Sequence, residues 1–316
     1  MKSRNLLFAA LLLLAGLGLV TLILKPRGPA TADASLPAAK SVIAAVTDKV
    51  PARVIAIDAS AMAGITSRLA NPLERAPDLS ILYRAQEGAD SPLERHLAYR
   101  AWSACFPAFL GADGRPSGVD SFVRAIPEGR ANNASRIAAY TALRKRCEGF
   151  FFMSTDEIVH TTQRLADLVR KGDVASAGEL SLKYQLEGAT DKALDIARNA
   201  IQAKDGYSIA SLQEFVHRML GKRIEDGLAP SSERTDLRGL AFAIAACDYG
   251  LDCSGESLTA LQLCANNGQC DGSLTDRYVQ GLVNAPDRDL VMQMARETSD
   301  AIRRQDFAAL GLVPRP

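Results

Sequence analysis

An all-α fold follows from three features of the chain. Capping residues stand ahead of runs whose apolar positions recur at helical spacing, short Gly, Asp and Ser breaks separate those runs, and no convincing strand pattern interrupts them. A long apolar run at the N-terminus and six cysteines beyond it complete the expectation: a membrane-spanning helix followed by a disulfide-stapled array of antiparallel helical hairpins.

The leader comes first. Leu6 to Leu24 is nineteen residues without a charge, about 28 Å of helix, which matches a hydrocarbon core. Lys2 and Arg4 precede it, and Lys25 and Arg27 follow it. The first pair favours a cytoplasmic N-terminus; the second weakens that preference by the positive-inside rule. The cysteines break the tie, since an even set suits an oxidising compartment. The reading is a single-pass signal anchor over residues 1–24, in the inner membrane with the bulk in the periplasm of a Gram-negative cell. Small residues at Ala30-Thr31-Ala32 and Ala32-Asp33-Ala34 leave signal cleavage, and release into the periplasm, as the alternative.

Residues 25–53, with Pro26, Pro29, Pro37 and Pro51 among Ala, Ser and Thr, read as a tether holding at most one short helix near Ala38–Thr47. Helical region 1 spans 54–150. Ser91-Pro92-Leu93-Glu94 is a capping-box pattern with proline at the first helical position, so a helix is expected from Pro92 to about Phe106 through Leu97, Ala101, Trp102 and Cys105. The Pro- and Gly-rich Gly111–Gly118 is a loop. Asn133 or Ser135 opens the next helix, which runs through Ile137, Tyr140 and Leu143 to Cys147, and Phe150-Phe151-Phe152 is a buried link.

Helical region 2 spans 154–306, followed by a tail at 307–316. It opens on a second capping box, Ser154-Thr155-Asp156-Glu157, ahead of a helix to about Lys171. Gly172-Asp173, Gly188-Ala189-Thr190 and Asp205-Gly206-Tyr207-Ser208 then separate helices of roughly thirteen to sixteen residues. The stretch Ser154–Leu220 resembles tetratricopeptide or Sel1-type helical repeats in architecture only. Their diagnostic Trp, Gly and Tyr positions are missing.

Cys105 and Cys147 fall toward the ends of two predicted helices and are expected to pair. The other four form Cys247-x5-Cys253-x10-Cys264-x5-Cys270. Cys247 ends an apolar helix at Leu237–Ala246, and Ser254 caps a helix to Cys264. Cys253 and Cys264 then stand about 16 Å apart at opposite ends of that helix, too far to bond each other. Two pairings remain. The local clips Cys247–Cys253 and Cys264–Cys270 are preferred over the interleaved pairing, which needs the outer helices to fold over the middle one. Zinc is the rival, but closed zinc sites bring ligands two to four residues apart, not five.

The two segments Cys247-Asp248-Tyr249-Gly250-Leu251-Asp252-Cys253 and Leu263-Cys264-Ala265-Asn266-Asn267-Gly268-Gln269-Cys270 resemble the C-terminal part of a loose group of uncharacterised bacterial envelope proteins. The resemblance covers some thirty residues. It implies secretion, helices and disulfides, and it carries over no catalytic residue.

Hydrophobic residues make up 47% of the chain and charged residues 23%, enough apolar surface for a sizeable core. Residues 1–32 hold four of the 37 basic residues and none of the 36 acids, so the remainder carries 33 against 36, net −3. No nucleic-acid partner is expected from that balance. The densest basic run, Arg144-Lys145-Arg146, points three ways on a helix. His96, His160 and His217 have no second ligand at metal spacing, so no metal and no cofactor is assigned. Serine-hydrolase and phosphate-loop motifs are absent, and no catalytic residue is named. Glu157, Glu179 and Glu214 are the residues a lysozyme-like, cell-wall-acting glycosidase would use, although Glu157 already serves as a cap. Trp102, Tyr99 and Phe106 read as a core stripe, with an exposed aromatic patch as the alternative. The functional expectation is a non-catalytic binding or scaffold module with a protein or cell-wall partner; the helical glycosidase is the alternative.

Overall fold

A computed structural model describes residues 72–313, apart from 107, 111–117, 172–173, 229 and 231. The leader at Leu6–Leu24, the tether at 25–53 and all but the end of the Gly111–Gly118 loop lie outside the described residues. Every element among the described residues is helical, and no helix there is long and apolar enough to cross a membrane. After a helical turn at 72–75 come α1 (Leu79–Gln86), α2 (Pro92–Cys105), α3 (Val119–Ala125) and α4 (Asn133–Arg146), then a 3-10 turn at Glu148–Phe150. Next come α5 (Thr155–Lys171), α6 (Ala177–Leu186), α7 (Thr190–Ala203), α8 (Gly206–Ser211) and α9 (Gln213–Glu225). The last group is α10 (Thr235–Ala245) with a 3-10 extension at Ala246–Tyr249, α11 (Leu258–Asn267), α12 (Leu274–Gln280) and α13 (Ala285–Arg304).

The caps decide where these helices begin. The Ser154 box forms in full: Ser154 N donates to Glu157 Oε2 at 2.7 Å, and Glu157 N donates to Ser154 Oγ at 3.3 Å. At Ser91 the helix starts where expected, but the serine makes no side-chain cap; proline at the first position sets that boundary alone. The segment read as a break at Asp205–Ser208 is instead the start of α8. Asp205 accepts from Ser208 N at 2.8 Å, and Lys204 ends α7 in the left-handed conformation (φ 51°). Ser257, not Ser254, caps α11. A side chain at Gly255 would come within 2.7 Å of Gly272 O, so the 253–257 loop packs directly on that backbone. The Phe150–Phe152 segment is a buried link only at its first residue: Phe150 is buried and Phe152 is 89% exposed.

Neighbours in sequence pack as pairs, α1 with α2, α6 with α7 and α9 with α10. The most extensive packing is between α10 and α13, and α4 packs against α11 across more than a hundred residues. A serial repeat array keeps its contacts between adjacent units, so these two pairings set the fold apart from one. Three hydrophobic clusters result. The first joins Leu79, Trp102, Tyr140 and Phe150 to Ile158 and Leu165 of α5 and to Leu258 and Leu261 of α11, so it runs across the expected division at 150–154. The second gathers α6 to α10 around Phe215 and Phe242, and it includes Leu310 and Leu312 from the segment read as a tail. The third lies between α10 and α13 around Leu237 and Val291. Trp102 is core: it stacks on Phe106 (5.7 Å) and meets Phe150 edge-on (5.3 Å), with Tyr99 and Phe106 half-buried beside it.

The six cysteines form three pairs at disulfide distance: Cys105–Cys147 (Cα–Cα 5.6 Å), Cys247–Cys253 (5.7 Å) and Cys264–Cys270 (4.3 Å). These are the long bridge and the two local clips. Cys105 and Cys147 are buried in the first cluster, whereas Cys247, Cys253 and Cys270 are each partly exposed.

Candidate functional site

Two groups of polar side chains lie inside the fold, and both are held by helix ends. Ser176 and Glu179 form a full capping box at the start of α6, which fixes the Glu179 carboxylate: its Oε2 accepts from Ser176 N at 2.8 Å. The same oxygen lies 3.3 Å from Nδ1 of His96 on α2, without the alignment of a hydrogen bond. On its other side, His96 Nε2 is 2.8 Å from the Tyr207 hydroxyl of α8. The imidazole is 1% exposed. Burial pulls its pKa down to about 4, with Arg100 acting the same way and Glu179 opposing, so the ring is neutral at pH 7. Burial also raises the pKa of the Tyr207 phenol, so it stays protonated and pairs with the neutral ring as a hydroxyl.

The second group surrounds Glu74 in the 72–75 turn. Its carboxyl group accepts from Thr259 N at 2.9 Å and Thr259 Oγ1 at 2.8 Å, tying the 72–75 turn to the N-terminus of α11. Burial raises its pKa, against the two Thr259 bonds. Arg75 donates to Asp252 at 2.5 Å, and Arg146 donates to the carbonyls of Glu74 (2.8 Å) and Glu256 (2.7 Å). The 72–75 turn is therefore sewn to the loop closed by Cys247–Cys253. Arg100 sits electrostatically between the groups. Burial works against its charge, but Tyr207, Glu74 and Glu179 hold it cationic.

Apart from the exposed Arg75, these polar residues are buried or half-buried stitches between segments distant in sequence, and none of them lines either of two cavities on the surface. One cavity, about 330 Å³, lies between the α1–α2 turn and α5; the Arg164 in its wall is held by Tyr83 and Glu87. The other, about 340 Å³, lies between α10, α13 and the C-terminal turn and is lined by Arg238, Glu297, Thr298, Asp300, Arg304 and Ala309.

The glutamates of the glycosidase alternative sit on three helices, each with its own local partner: Glu157 on Ser154, Glu179 on Ser176 and His96, and Glu214 on Arg218 at 2.5 Å. Among the described residues no group of His, Cys, Asp and Glu could hold a metal ion. The basic run divides as its helical positions predict. Arg144 lies over the Phe151 ring at 4.7 Å, while Arg146 turns to the backbone of Glu74 and Glu256. The Glu179–His96–Tyr207 knot was not foreseen from sequence, although Ser176-Ala177-Gly178-Glu179 has the same capping pattern that marked Ser154.

No protein-family model, curated protein or solved structure matches the chain.

Proposed function

We propose that this is a non-catalytic binding or scaffold module of the bacterial envelope, held by an uncleaved Leu6–Leu24 anchor with its helical body facing the periplasm. The observation that carries the reading is the cysteine arrangement: six thiols at three bonding distances, none left over. Cytosolic reductants keep such thiols free, so a fold that brings every one of them to a mate suits an oxidising compartment. A charge-free leader between basic residues supplies the route there. In this reading His96, Glu74 and Tyr207 are structural, since each is committed to interior partners.

Intact mass of the protein from envelope fractions, before and after reduction with alkylation of the freed thiols, tests this directly. The reading expects an unprocessed leader and six alkylatable thiols that appear only after reduction. Free thiols in the unreduced protein would remove its basis. A mature N-terminus near Ala32 would convert the anchored protein into a secreted one.

A further inference from the structure

We infer that the cavity between α10, α13 and the C-terminal turn binds a small zwitterion, a free amino acid or short peptide carrying both its ammonium and its carboxylate. Glu297, Asp300 and Arg304 recur at three- and four-residue intervals along α13, so they share one stripe of the helix. Arg238 of α10 faces the same hollow, and Ala309, on the turn pinned by Leu310 and Leu312, forms its far wall. Both signs of charge therefore line a single space of about 340 Å³, at the small end of ligand-binding cavities.

Two details point to a ligand rather than to a closed set of surface ion pairs. The first is Thr298, which is 2% exposed and lines the cavity; its Oγ1 is buried and has no hydrogen-bond partner among the described residues. A buried hydroxyl normally has a partner, and this one, on a residue of the cavity wall, has none among the described residues. The second is Arg304, whose guanidinium makes no hydrogen bond or ion pair among the described residues. Asp300, one turn before it, is held by Arg303 at 2.9 Å, and Arg238 has Glu233 at 3.5 Å. A simple anion would meet the arginines but be repelled by Glu297 and Asp300. A simple cation would meet the reverse. A zwitterion satisfies both signs, with the carboxylate on Arg304 and Arg238 and the ammonium on Glu297 and Asp300.

This deepens the binding-module reading by naming a ligand class, and its test is separate from that of export. Full-length protein in detergent is titrated calorimetrically with L-alanine, with L-alanyl-L-alanine, with the N-acetylated and C-amidated dipeptides, and with inorganic phosphate. The inference expects alanine or dialanine to bind with a Kd below about 10 mM and either cap to weaken binding at least tenfold, roughly 1.4 kcal/mol. Whichever of the two uncapped compounds binds more tightly identifies the source. Arg304→Gln should erase the preference for the free carboxylate over the amide. Ala309→Trp, at an exposed position, should fill the hollow and abolish the heat while leaving the helical circular dichroism unchanged. Absence of binding up to that concentration, equal binding of capped and uncapped peptides, binding of phosphate instead, or wild-type titrations from both variants would each overturn the site. Bridge count and leader are read by mass on the same preparation, so either result stands without the other.

Discussion

At the scale of single residues, burial sets the chemistry more than identity does. His96 has the composition of a catalytic dyad around it, yet its ring sits in the interior between Glu179 and Tyr207, neutral and out of reach of both cavities. Its folded pKa of about 4 lies below the unfolded value near 6.5, so the unfolded chain takes up a proton first as pH falls. Stability should therefore drop between about pH 6.5 and pH 4, by about 3 kcal/mol from this residue. Glu74 acts oppositely: its raised folded pKa makes it more stabilising when protonated. Urea unfolding at pH 7 and pH 4.5 for the wild type and His96→Gln isolates the histidine, and the variant should lose less stability on acidification. Glycines give a second contrast. A Cβ at Gly178 would lie 1.7 Å from Ser211 O, so Gly178→Ala must separate α6 from the α8–α9 junction, at a cost of roughly 2 kcal/mol or more. Gly221, inside α9, has nothing within 4 Å of its missing Cβ. Gly221→Ala should stabilise by about 0.5–1 kcal/mol through helix propensity. Denaturation midpoints moving in the same direction for both would contradict this account.

At the scale of elements, the question is which helix ends and bridges hold the pieces together. Proline at Pro92 and the Ser154–Glu157 box are local and readable; so was the Ser176–Glu179 box, by the same pattern. Ser254 against Ser257 was not readable: both are serines ahead of the same apolar run, and the loop before Ser257 makes tertiary contacts, with Gly255 against Gly272 and Leu274 N donating to Cys253 O at 2.9 Å. The three bridges differ in what they constrain. Cys105–Cys147 closes a separation of 42 residues and the clips close 6 each, for chain-entropy contributions of about 4 and about 2 kcal/mol. Their exposure is graded as well. Under native conditions with limiting reductant, alkylation mapping should find Cys247 and Cys253 modified before Cys105 and Cys147. The reverse order would mean that the first core opens more easily than its packing implies.

At the scale of the whole molecule, the first core draws on residues from Leu73 to Ala265, so no cut at 150–154 leaves it intact. Produced separately, fragments 72–150 and 154–313 should each expose that core and bind a hydrophobic dye; 72–150 should lack a cooperative unfolding transition, while 154–313, which keeps the second and third clusters, should unfold at lower denaturant than the whole chain. Two clean transitions would show that the regions are independent after all. The sequence by itself determined what is local: the helical class, several helix starts and the split of the Arg144–Arg146 run; it narrowed the last four cysteines to two pairings, and the fold chose the local clips. Capping patterns, periodicity and close cysteine spacing act within a turn or a loop, where neighbours along the chain are the only partners that matter. Tertiary structure alone decided the pairing of α4 with α11 and of α10 with α13, the Glu179–His96–Tyr207 knot, Glu74 on the α11 N-terminus, and the walls of the charged cavity. Each of those joins groups separated by tens to hundreds of residues. What brings them together is the burial of apolar faces, a force without direction along the chain, and one sequence read position by position does not say which face will cover which.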